Sequence, residues 1–124
     1  MDNSIRKLPD GELEVMQAVW DSPVPAERAD IEKNLQQHPM APTTLLTMLT
    51  RLREKGFIAI EKTGRRSCYR PCVTRQEYLA SQSKRFLQNL CGGSLSVFAS
   101  ALCDSGLSKE EIAQLRELLE RDEL

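Results

Sequence analysis

The sequence predicts a mainly α protein: a winged helix-turn-helix (three helices plus a small β-hairpin wing) over residues 1–73, followed by a C-terminal helical dimerisation domain over 74–124. Three observations predict it. Apolar residues recur at helical spacing in three short segments before Gly56. Two β-prone runs then flank a basic, glycine-containing tip at residues 62–66. From Thr74 onward the pattern is helical throughout, broken only at Gly92-Gly93 and Gly106.

Asp10 followed by Leu13, Met16, Val19 and Trp20 reads as a capped first helix. Ser22-Pro23 ends it, because proline lacks an N–H and its predecessor avoids the helical region. Pro25 is expected to open a short second helix through about Gln37, burying Ala29, Ile31 and Leu35. Pro42 suits the first position of a third helix, which runs to Lys55 and stops at Gly56. Phe57–Glu61 and Ser67–Val73 form the hairpin arms. Beyond Thr74, helices are expected over Arg75–Cys91, over Ser94–Cys103 with Leu95, Phe98 and Leu102 on one face, and after the Ser108/Glu111 capping box.

Composition narrows the function classes. With 40% apolar and 28% charged residues, the chain can build a core and is not a disordered tail. No run approaches the roughly 18 apolar residues of a membrane span, and the first residues lack the apolar core of a signal peptide. A cytoplasmic protein with no membrane partner is therefore expected. Cys68, Cys72, Cys91 and Cys103 lack CxxC spacing, so reduced structural thiols are expected. On a strand, Cys68 and Cys72 would share a face about 13 Å apart, too far for one metal ion or a disulfide. His38 is the only histidine and lies in a Pro-flanked turn, so neither a histidine-based triad nor a multi-histidine metal site is expected. Ser81-Gln82-Ser83-Lys84 matches an S-x-x-K string without its supporting motifs. No catalytic residue, cofactor or metal site is expected.

Charge is unevenly distributed. Residues 1–41 hold four Lys/Arg against eight Asp/Glu, residues 42–70 seven against two, and residues 71–124 six against eight. A basic block within a slightly acidic chain is the footprint of a polyanion-facing edge. Projected at about 100° per residue, the helix 42–55 turns Leu45, Met48, Leu49 and Leu52 inward. The opposite arc carries Thr43, Thr47, Thr50 and Glu54, flanked by Thr44 and Arg51 on one side and Leu46 on the other. Threonine is a mediocre helix former, so four of them in eight positions point to a face that approaches a groove floor. Lys62, Arg65 and Arg66 at the hairpin tip suit a phosphate backbone.

The segments LPDGELEVMQAVW, PTTLLTMLTRLREKGFI and GRRSCYRP resemble the penicillinase and methicillin-resistance repressors of the BlaI/MecI/CopY type. The resemblance implies a winged-helix head, a helical dimerisation domain, and a homodimer that represses transcription from a palindromic, double-stranded operator. By matching positions it implies DNA contacts from Thr43, Thr44, Thr47 and Arg51, with the wing at Arg65 and Arg66. Leu46 stands where a polar residue is common in that family. The antibiotic-responsive branch is cut by a sensor protease at an Asn-Phe bond, and the matching place here reads Ala101-Leu102. The copper-responsive branch carries C-terminal CxC motifs, and here the chain reads LERDEL. The signal, whether an inducer or a sensor protease, is thus left open. The competing readings are a winged-helix protein-interaction module that never touches DNA and a thiol- or metal-responsive regulator.

Overall fold

Nine short elements follow one another in the computed structural model, which describes residues 5–121. They are α1 (Asp10–Trp20), β1 (Ala26–Glu27), α2 (Arg28–Lys33), α3 (Pro42–Glu54), β2 (Ile58–Thr63), β3 (Arg66–Pro71), α4 (Arg75–Leu90), α5 (Leu95–Asp104) and α6 (Lys109–Arg121). The chain divides into two compact units between Gln82 and Ser83, inside α4.

In the first unit, α1, α2 and α3 close over a three-stranded antiparallel sheet of order β1-β3-β2. Its core holds Val15, Met16 and Val19 of α1, Ile31 of α2, Leu45, Leu49 and Leu52 of α3, and Phe57, Ile58 and Tyr69 around the sheet. The inward arc expected for α3 is the buried one, with Met48 half-buried against it. Tyr78 from the start of α4 belongs to the same core. Its hydroxyl accepts from the Leu8 N–H at 2.9 Å, and its ring lies 5.8 Å from both Trp20 and Phe57. The Trp20 indole N–H donates to the Val73 carbonyl at 2.8 Å, which ties α1 to the chain leaving the sheet.

Several local expectations are corrected. Asp10 is the first helical residue rather than the cap, which is Pro9. The Asp10 carboxylate then favours the helix through the dipole at its N-terminal turn. The second helix starts at Arg28, because Ala26 and Glu27 pair with Tyr69 and Cys68 of β3 as a third strand. Glu27 caps α2 through a reciprocal box with Asp30. That helix ends at Lys33, and Ala29 is exposed rather than buried. Cys72 lies just past β3, so it does not share a strand face with Cys68. All four cysteines are free thiols.

The end of α3 sets the direction of the wing. Gly56 adopts φ +83°, the Phe57 N–H reaches the Leu52 carbonyl at 2.9 Å, and the Gly56 N–H reaches Arg53 at 3.0 Å. That bond pair is a Schellman stop, which delivers Phe57 to the core and starts β2. The β2–β3 hairpin closes on Thr63↔Arg66 around Gly64-Arg65. Gly64 has φ +66°, as the first central position of a type II′ turn requires.

In the second unit, Phe86 and Phe98 pack edge-on with centroids 5.7 Å apart. Ser94 caps α5 by accepting from the Val97 N–H, and the Ser108/Glu111 box opens α6 as expected. Much apolar surface stays uncovered: Leu90 is 73% exposed and Leu95 70%, with Val97, Leu118 and Leu119 also exposed. No single helix among the described residues is long and apolar enough to cross a membrane.

Candidate nucleic-acid interface

The outward face of α3 is built by the inward one. Because Leu45, Leu49 and Leu52 anchor the helix, Thr43, Thr44, Leu46, Thr47 and Arg51 are exposed, and Thr50 is half-buried. Thr43, Leu46, Thr47 and Thr50 are related by steps of three and four residues, so they form one contiguous patch. Within it, the Thr47 hydroxyl donates to the Thr43 carbonyl and the Thr50 hydroxyl to the Leu46 carbonyl, both at 2.9 Å. These two hydroxyl protons are therefore engaged by the helix itself, which leaves lone pairs and methyl groups for anything that approaches.

Arg51 stands at the edge of this patch. Its guanidinium is 4.0 Å from Glu12 of α1, and its side chain is 55% exposed. Glu12 is 3% exposed, the one buried carboxylate among the described residues, and also pairs with the Lys55 ammonium. A carboxylate out of water needs such partners to offset its desolvation. Glu12 thus joins α1 to the last two turns of α3 and holds Arg51 from behind.

The wing tip is exposed at Lys62, Arg65 and Arg66. Arg66 lies 3.3 Å from the Glu27 carboxylate, whereas Lys62 and Arg65 have no ion-pair partner among the described residues. An open cleft runs between the start of α2, Leu46 of α3 and the wing, lined by Glu27, Arg28, Leu46, Arg65 and Arg66. It brings together residues that the sequence could only place separately on a helix and a hairpin. Arg28 was not among the expected site residues. Its guanidinium donates to the Pro42 carbonyl at 3.0 Å and lies 3.6 Å from Glu32, so it fixes the start of α3 against α2. A helix expected to begin at Pro25 hid this role, since it placed Arg28 inside the first turns.

No cluster of three or more metal-ligating side chains occurs among the described residues. The arrangement is a convex helix face beside a cationic arm, which suits a grooved polyanion.

Comparison with known proteins points to one family. The family model described as penicillinase repressor matches residues 8–121. The penicillinase repressor of Bacillus licheniformis is 33% identical over 94% of this chain and 91% of its own length. The methicillin resistance regulatory protein MecI of Mammaliicoccus sciuri is 30% identical over 98% of this chain and 99% of its own. Among solved structures, the DNA-binding domain of the repressor BlaI superposes with a TM-score of 0.52 at 33% identity, over 60% of this chain and 90% of that domain.

Proposed function

The chain belongs to the penicillinase repressor family, and on that premise we propose that it is a DNA-binding transcriptional repressor acting as a homodimer on a palindromic operator. The observation that carries this reading is the joint exposure of the α3 face and the cationic wing on either side of one cleft. In the bound state α3 lies in the major groove, where Thr43, Thr44, Leu46, Thr47, Thr50 and Arg51 meet base edges and flanking phosphates. Lys62, Arg65 and Arg66 neutralise the adjacent backbone and supply affinity without sequence information. A protein-docking version of the fold is expected to carry a run of apolar side chains on this face, where here one leucine, Leu46, stands among threonines and Arg51.

Residues 1–73 form the DNA-binding domain and residues 74–124 the dimerisation domain, with the first turn of α4 buttressing the head through Tyr78. The exposed leucines of α4, α5 and α6 support a second copy as their cover, since isolated apolar side chains are ordinary but a whole helical unit of them is not. Two linked heads read two half-sites about one helical turn, roughly 34 Å, apart. The setting of this activity is the cytoplasm. Light scattering on the eluting peak is expected to give twice the chain mass at micromolar concentration. A monomer there would overturn the dimeric reading.

A further inference from the structure

The centre of the α3 patch is apolar in what it offers. Leu46 is 50% exposed, between the wing cleft and the threonines. Thr47 and Thr50 have turned their hydroxyl protons onto backbone carbonyls, so their methyl groups and oxygen lone pairs are what remain on the outward side. Guanine presents only acceptors on the major-groove floor, at O6 and N7, and its recognition needs a donor. Within the patch formed by Thr43, Leu46, Thr47 and Thr50, neither Leu46 nor the two committed threonines supply one, and the remaining hydroxyl, that of Thr43, sits in the first turn of α3. The single apolar group on that floor is the 5-methyl of thymine.

We propose that Leu46 is a specificity-determining residue that selects thymine in each half-site through its 5-methyl group, with the methyls of Thr47 and Thr50 walling the contact. The inference rests on the placement of α3 in the major groove. It assigns the donor-dependent part of recognition to Arg51 at the edge of the patch and the thymine-dependent part to Leu46 at its centre.

Deoxyuridine isolates the chemistry, because it keeps every hydrogen-bonding group of thymine and lacks only the methyl. The full-length protein is titrated with a duplex selected from a random pool, then with duplexes in which each thymine is replaced in turn by deoxyuridine. One thymine per half-site is expected to matter, with affinity falling about 4-fold for one replacement and about 15-fold for the symmetric pair, on the scale of one buried methyl(ene) per half-site. Leu46→Ala is expected to bind the thymine and uracil duplexes equally, near the wild-type affinity for the uracil duplex. Leu46→Gln, which restores length but not the apolar contact, is expected to lose the same discrimination. Neutral uracil replacements throughout, or a uracil penalty that survives in Leu46→Ala, would overturn the assignment while leaving DNA binding intact. Failure to bind the unmodified duplex would overturn the parent reading as well.

Discussion

Replacing Arg51 with alanine is expected to lower operator affinity by roughly 10- to 100-fold, because each head then lacks one cationic group at a base edge or phosphate. The structure adds an order of effects within the wing. Arg65 has no ion-pair partner among the described residues, whereas Arg66 shares its charge with Glu27 at 3.3 Å. Arg66 must therefore loosen one ion pair to make another, and Arg65→Ala is expected to cost more affinity than Arg66→Ala. In the double wing variant the slope of log affinity against log salt is expected to flatten by about 1 for each phosphate no longer neutralised. Fluorescence anisotropy across a salt series reads both quantities. An unchanged slope in the wing variant would remove the wing from the backbone.

Glu12→Gln is expected to destabilise the fold by about 2–3 kcal/mol in urea unfolding. The substitution keeps size and removes charge, so it leaves Lys55 and Arg51 facing a neutral amide in a site that is 3% exposed on the Glu12 side. The expected loss is set below the range for a fully buried pair because both cations retain access to water. A change under about 0.5 kcal/mol, the size of an ordinary surface substitution, would contradict a structural role for this carboxylate.

Glu12 also marks where sequence reading ran out. Periodicity identified the buried arc of α3 residue by residue, because Leu45, Leu49 and Leu52 have no polar competitors at their positions. It located the stop at Gly56 and the hairpin tip at Gly64, because a left-handed backbone position leaves few other choices. It gave no warning that Glu12 is buried, since a carboxylate reads as solvated until its partner 43 residues away is known. The two-residue strand β1 was likewise invisible: Ala26-Glu27 has no β-pattern of its own and is a strand only because β3 offers it an edge. That missed pairing displaced the expected start of α2 and concealed Arg28. The face of α3 was legible, but the inward-turned hydroxyls of Thr47 and Thr50 were not. The sequence left two roles open for them, a hydroxyl on a base edge or phosphate and a methyl against a thymine methyl, and the engaged hydroxyl protons favour the second.

If two copies of one α3 face read DNA symmetrically, the symmetry is written into the sequences they bind, and selection of duplexes from a random pool by the full-length protein reveals it. An inverted repeat is expected, with half-site centres about one helical turn apart and thymine enriched at one fixed position in each half. Recovery of a single unrepeated site, or of no enriched sequence, would contradict it.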